Sequence, residues 1–231
     1  LLQTARNLAQ RSLTETIGVV GATQVRFLFG LPFAMLFGAM VLLSRDISAA
    51  LGARIKDWRM KASLTLEELS QRCGVSRAML SKVERGEKSP TLPIVIRIAS
   101  GFGRSLSELL GAELDQADVA VIRASERLSY RDPETGFERW VLSPAHLDNG
   151  VEVVLHRIPP GRSTGVLPPY AVPTEKYIAV SEGNLTVYVD ERPYVLKAGD
   201  SMYFEVKSPY RFDNNDGHLP CSYYMMIVRK R

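Results

Sequence analysis

Between residues 51 and 111 the apolar residues recur at every third or fourth position, and from Val119 onward they recur at about every second. The first spacing keeps one face of a helix apolar, and the second keeps one face of a strand apolar. Leu51, Ile55 and Trp58 mark a helix from Leu51 to Lys61, with Arg54, Lys56, Arg59 and Lys61 between them. Thr65 is placed to cap a second helix, and Glu68 three residues on completes a capping box ahead of Leu69. Gly74 stands where that helix is expected to end in a left-handed backbone, and Ser76 caps a third helix, SRAMLSKVERG, that stops at Gly86.

The later region reads VAVIRA, FERWVLS, VEVVLHRI, KYIAVSEGNLTVYVD, RPYVLKAG, SMYFEV and CSYYMMIVRK, divided by Pro, Gly, Asn and Asp. Many short strands separated by turns predict an antiparallel barrel or jelly roll rather than βαβ units. In GNLTVYVDERPYVLKAGDSMYF a hairpin turns at Asp190-Glu191, and a Gly-Asp turn leads into the next strand. Between the two periods the stretch GAELDQADVA is polar and acidic, which predicts a linker at residues 112–118. The expected fold class is α+β multidomain, with an N-terminal all-α helix bundle over residues 50–111 and a C-terminal all-β barrel over residues 119–231.

Residues 1–48 fit neither pattern. From Phe27 to Leu43 runs FLFGLPFAMLFGAMVLL, 17 residues without a charge, flanked by Arg26 and Arg45. That length is at the short end of a membrane span. A cleaved secretory signal fits poorly, because the charge that opens the apolar run lies deep in the segment. Residues 1–37 resemble the first segments of small multi-span drug/metabolite exporters, yet one or two helices do not make such an exporter. Three readings stay open: a membrane anchor, a buried or partner-binding helix, and a transporter-like fragment joined by gene fusion or start-site misassignment. The last is favoured, because nothing downstream continues a transporter.

With 231 residues, 45% hydrophobic and 23% charged, the chain allows one or two domains and excludes a disordered or collagen-like class. Charge is more informative when divided along the chain. Residues 52–112 hold 11 basic and 6 acidic residues, whereas residues 113–231 hold 14 and 17. The helical module is the cationic one, which fits a polyanionic partner. Cys73 and Cys221 are too far apart in sequence to suggest a disulfide framework or a metal-binding pair, so a reducing cytoplasm is the simpler compartment.

The short turn Cys73-Gly74-Val75 between two helices has the spacing of a helix-turn-helix, whose second helix enters the major groove of double-stranded DNA. With Met79, Leu80 and Val83 facing the core, Ser76, Arg77, Ala78, Ser81 and Lys82 face outward. Arg77 can fork onto guanine, Lys82 can reach a base or phosphate, and Ala78 permits close approach. Thr65 and the backbone at its helix start are candidates for a phosphate contact. Residues LTLEELSQRCGVSRAMLSKVERGEKSPTLPIVIRIASGFGRSLSELL resemble the Cro/repressor-like (XRE-type) helix-turn-helix family over about 55 residues. The resemblance implies a structural ion pair between Arg59 and Glu84. It also implies a phosphate-binding glutamine after the second cap, where this chain has Leu66.

Residues 119–230 resemble the cupin fold through Ile158-Pro-Pro-Gly161, Tyr177-Ile-Ala-Val-Ser-Glu-Gly183, Leu196-Lys-Ala-Gly-Asp200-Ser-Met-Tyr-Phe204 and Ser208-Pro-Tyr-Arg-Phe212. Metal-binding cupins carry histidines and a glutamate at positions that fall here on Pro169 or Tyr170, Ala171 or Val172, Lys176 and Tyr210. None is a usable His or Glu ligand, and His146, His156 and His218 have no ligand-like spacing. The expectation is therefore no metal and no cofactor. A small barrel still encloses ligands, and Tyr170, Lys176, Tyr203, Tyr210 and Arg211 are the candidates for lining its mouth, with Lys176 and a tyrosine holding a carboxylate or phosphate. Glu175 and Glu205 are the competing partners for Lys176.

Together these features predict a cytoplasmic, sequence-specific transcription regulator rather than an enzyme. It is expected to bind DNA as a homodimer and to respond to a small-molecule effector through the barrel, without a metal. The competing readings are a cupin-type enzyme with an accessory DNA-binding domain and a membrane-tethered regulator spanning at residues 27–43.

Overall fold

Ile55, Leu69, Leu80 and Val83 are fully buried and draw together three helices: α1 (residues 50–61), α2 (Leu66–Cys73) and α3 (Arg77–Glu84). α4 (Leu92–Gly101) and α5 (Leu106–Leu110) complete this core with Val95, Ile98 and Leu109. The computed structural model describes residues 50–112, 120–144 and 150–230. The apolar segment at residues 27–43, most of the expected linker and His146 lie outside them.

The helix boundaries have local chemical causes. Thr65 and Ser105 form capping boxes with Glu68 and Glu108, and Gly74 ends α2 with φ at 65°. Helix spacing is set by small residues. A Cβ added to Gly52 of α1 would stand 2.1 Å from the Val83 carbonyl oxygen, and one on Gly101 of α4 would stand 2.8 Å from the Cβ of Cys73.

Among the described residues nine antiparallel strands follow: β1 (Ser129–Arg131), β2 (Glu138–Val141), β3 (Val151–Ile158), β4 (Thr174–Glu182), β5 (Asn184–Val189), β6 (Arg192–Lys197), β7 (Ser201–Glu205), β8 (Tyr210–Asp213) and β9 (Cys221–Arg229). They form a six-stranded sheet in the order β1-β2-β3-β9-β4-β7 and a three-stranded sheet in the order β6-β5-β8. The two sheets face one another as in a jelly roll, with Phe204 and Tyr210 at a ring-centroid distance of 5.9 Å and Phe212 and Tyr223 at 5.5 Å. The period-two rule sends Lys176, Ile178 and Val180 of β4 inward with Tyr223, Met225 and Ile227 of β9. The β5–β6 hairpin turns at Asp190 and Glu191, whose φ angles of 50° and 62° supply the twist that a two-residue connection needs.

One sequence expectation fails. Of VAVIRA, the described residues from Ala120 form no strand, and Ala124–Glu126 is a short 3-10 turn. Val121 is exposed, so its alternation has no apolar surface to meet and no ladder partner. The sheet instead begins at β1, where Tyr130 is buried and pairs opposite Arg139 of β2.

The helices and the sheets also dock on one another within one compact unit. Thr91 makes no side-chain cap at the start of α4, and Asp132, just after β1, takes over. Its Oδ2 accepts from the Leu92 N–H at 2.6 Å, while Oδ1 accepts from Glu134 and Thr135. A carboxylate there satisfies a free N–H and complements the positive end of the helix. The Tyr130 hydroxyl donates to the Pro90 carbonyl at 2.9 Å, fixing the same junction. Among the described residues no helix is long and apolar enough to cross a membrane.

Candidate functional site

α3 begins where Ser76 accepts from the Met79 N–H at 3.3 Å, and it buries Leu80 and Val83. Because 3.6 residues make a turn, burying those two leaves Ser76, Arg77, Ala78 and Lys82 exposed on one side. Ser81 lies at the edge of that surface and its hydroxyl accepts a hydrogen bond from Arg85, which in turn forks onto Glu87 at 2.6 and 2.8 Å. Thr65, also exposed, is committed to the capping box, with its hydroxyl donating to Glu68 at 2.8 Å. The exposed face of α3 thus offers a fork, an ammonium, hydroxyls and a small side chain within two turns.

The frame behind this face is an ion pair. Arg59 of α1 donates from Nε to Glu84 Oε1 at 2.7 Å and from Nη2 to Oε2 at 2.9 Å. Its remaining arm donates to the Leu64 carbonyl at 2.9 Å, so one guanidinium joins α1, the loop before α2 and the end of α3. Both side chains are largely withdrawn from water, at 11% and 6% exposure.

The space between the two sheets holds polar as well as apolar side chains. Lys176 is only 2% exposed, and its Nζ lies 4.7 Å from the ring centre of Tyr210, 5.3 Å from Tyr170 and 5.8 Å from Phe212. Its Nζ also lies 3.6 Å from Met225 Sδ, and Tyr170 acts on it as a hydrogen-bonding neighbour. Glu175, next to it on β4, points the other way, accepting from Tyr203 at 3.1 Å and pairing with Lys230. Burial lowers the Lys176 pKa, only partly offset by Tyr170. Burial alone would raise that of Tyr170, but Lys176 and Arg229 outweigh it and the net shift is downward. The Tyr210 hydroxyl is buried and interacts with Tyr170, with no well-formed hydrogen bond among the described residues.

Tyr170, Lys176 and Tyr210 are therefore brought together, whereas Tyr203 and Arg211 are not. Strand alternation puts both on outer faces. Tyr203 is half exposed and packs on Tyr177, while Arg211 stacks 3.8 Å over Tyr188 and pairs with Asp213.

A second group, which the sequence reading missed, lies beside Lys176. Arg139 of β2 pairs with Glu152 of β3, Arg229 of β9 reaches the other Glu152 oxygen at 3.0 Å, and Ser107 of α5 donates its hydroxyl to Glu152. Arg139 also approaches His156 Nε2 at 3.1 Å, and His156 Nδ1 lies 3.1 Å from the Tyr223 hydroxyl. Arginine only donates, so Nε2 accepts and Nδ1 carries the proton. Burial, reinforced by Arg139 and Lys176, holds His156 well below the ordinary histidine value and keeps it neutral. Burial would raise the Glu152 pKa, but Arg139 and Arg229 prevail and bring it down to about 2. The available signal was a charge at an inward strand position, at Arg139 and at Glu152.

The resident metal of many cupins does not fit these residues. The position of the expected carboxylate ligand holds Lys176, whose ammonium opposes a cation, and His156 Nε2 already faces a guanidinium. Among the described residues no group of three His, Cys, Asp or Glu side chains converges. His218 is exposed.

Comparison with known proteins places these parts. Residues 55–109 match the helix-turn-helix family model, and residues 154–227 match the cupin domain. An uncharacterized HTH-type transcriptional regulator of Archaeoglobus fulgidus is 36% identical over 56 residues, covering 24% of this chain and 79% of that protein. The chain belongs to the HTH-type transcriptional regulators and carries a cupin domain. This regulator is also 25% identical over 191 residues to the HTH-type transcriptional regulator SutR of Escherichia coli (strain K12), covering 79% of this chain and 96% of the relative. It is similar in structure to a helix-turn-helix family transcriptional regulator from Vibrio cholerae, with a TM-score of 0.69 and 26% identity over 81% of this chain and 99% of that one.

Proposed function

We propose that the regulator reads its operator with α3 and senses a small anionic molecule through the cupin domain, without a metal and without catalysis. On this reading Arg77 and Lys82 carry the base and phosphate contacts, supported by Ser76, Ala78 and Ser81, while Thr65 positions the start of α2. The observation that carries the DNA half is the exposed face of α3, braced from behind by the Arg59–Glu84 fork. A short helix makes few contacts, so two copies on a two-fold site, as a cytoplasmic homodimer, are the expected binding unit.

The sensory half rests on Lys176, a cation buried among tyrosine and phenylalanine rings and without an ion-pair partner among the described residues. A buried charge without a counter-charge is costly, and an anionic ligand would supply that counter-charge. The domain division, with helices to residue 111 and the barrel from residue 119, is part of this reading. The names of the relatives, transcriptional regulators throughout those cited, support a non-catalytic role.

Footprinting of the full chain on genomic fragments at moderate salt tests the reading. Protection of one or a few two-fold sites is expected. Binding that is uniform across sequences, or no protection, would overturn it.

A further inference from the structure

Beside the Glu152 cluster, a cleft of about 200 Å³ separates α5 from the barrel, on the order of seven waters by volume. One wall is α5 and the turn before it, with Arg104, Ser107 and Glu108, and the other belongs to the cupin domain, with Glu152, Tyr170 and Arg229. Tyr170 links this cleft to the interior, since its ring lies 5.3 Å from Lys176 Nζ and 5.6 Å from Arg229 Cζ.

The charges around the cleft do not balance. Arg104, Arg229 and Lys230 line it, with Lys176 and Arg139 directly behind. The carboxylates are Glu108, paired with Arg104, Glu152, shared by Arg139 and Arg229, and Glu175, paired with Lys230. Every carboxylate in the group is thus already taken by a cation. Glu152 serves two guanidiniums, and Lys176 has no carboxylate within ion-pair distance among the described residues. Arg104 and Lys230 are partly hydrated, whereas Lys176 and Arg139 are buried and Arg229 largely so, and it is at these three that the excess is costly.

We propose that this interdomain cleft is a binding site for a small dianion, a dicarboxylate or a phosphate monoester, held by Arg229 and Arg104 with Tyr170 as the polar wall between them and Lys176. The inference rests on the reading of the chain as a sensor and assigns that sensor its ligand class and place. The occupant competes with Glu152 for Arg229. Glu152 is also the acceptor for Ser107 of α5, so occupancy acts on the contact that docks the DNA-binding helices on the barrel. Direct contact with both domains gives the ligand different affinities for different docking geometries, which is the condition for coupling to DNA affinity.

The test is calorimetric titration of the full chain with malonate, succinate and inorganic phosphate at constant ionic strength, with acetate as the monoanion control. Binding of at least one dianion, and weaker binding of acetate, is expected; the dianion that binds distinguishes carboxylate from phosphate sources. Arg229→Met is expected to weaken that binding roughly tenfold or more. Because Arg229 also holds Glu152, a second pair of variants is needed at exposed Val172 on the rim. Val172→Glu is expected to weaken dianion binding by a similar factor, and Val172→Gln to leave it within about twofold. No dianion binding to the wild type, or equal binding by the two Val172 variants, overturns the site. Operator affinity measured with and without the bound dianion is expected to differ roughly fivefold or more. Dianion binding without such a difference overturns the sensory role, while specific footprints would still uphold the DNA-reading half.

Discussion

Arg59 and Glu84 are 25 residues apart in sequence, yet their side chains meet through two parallel hydrogen bonds of 2.7 and 2.9 Å. The pair braces α3, the helix proposed to read DNA, and it is nearly dry. Removing one partner leaves the other charge in a poor solvent. Glu84→Ala is therefore expected to lower the unfolding free energy by roughly 3 kcal/mol or more. The double variant Arg59→Met with Glu84→Leu should recover most of that loss. Urea unfolding of the three proteins measures it, and an unchanged midpoint for Glu84→Ala would show the pair to be exposed in solution.

Arg77 lies in the first turn of α3 and is exposed, with no ion-pair partner among the described residues. Its replacement should leave stability nearly untouched. Arg77→Ala is expected to weaken operator binding by ~1–3 kcal/mol and to relax specificity at one base pair. Gel-shift titration against a set of single-base operator variants reads both effects. A uniform loss across all variants would instead assign Arg77 to phosphate.

The contact of Gly52 with Val83 sets the α1–α3 distance, since an added Cβ would fall 2.1 Å from a carbonyl oxygen. Backbone cannot give way as a flexible side chain does. Gly52→Ala, normally favourable inside a helix, is expected here to destabilise by about 1–3 kcal/mol. A melting temperature equal to or above that of the wild type would mean that the two helices separate easily.

Glu152 carries a pH signature. Its pKa falls from 4.5 to about 2 in the folded protein: burial opposes the shift, and Arg139 and Arg229 drive it. A carboxyl with a depressed folded value contributes stability that is fully present above its unfolded value. That contribution is lost as pH falls through 4.5 towards 2. The contribution is on the order of 3 kcal/mol. In urea unfolding at a series of pH values, Glu152→Gln should be less stable than the wild type at neutral pH. It should also lose less stability between about pH 4.5 and pH 2.5. Parallel pH profiles for the two proteins would contradict the assignment.

Much of the architecture was legible because it depends on near neighbours. Thr65 with Glu68, Gly74, Ser76 and the spacing of Leu80 and Val83 determine where the helices start, stop and turn, and each acts over three or four residues. Lys176 and Tyr210 stand out because they fall at the ligand positions of metal-binding cupins, and the structure brings both inside. VAVIRA misled because alternation shows that a strand has two faces but not that a ladder partner is present. Tyr203 and Arg211 were read as companions of Lys176 by residue type, and the pleat directs them outward.

From the sequence alone come most of the helices and strands, the outward set on α3 and the lysine at position 176. Only the tertiary structure decided which distant charges share a site. Arg229 and Glu152 are 77 residues apart, Ser107 and Glu152 are 45, and the Leu92 N–H and Asp132 are 40. Helix and strand periods are set by covalent geometry within a turn or a pleat. Partners at these separations are chosen by sheet register and by the docking of α4 and α5 on the barrel, which no local pattern encodes.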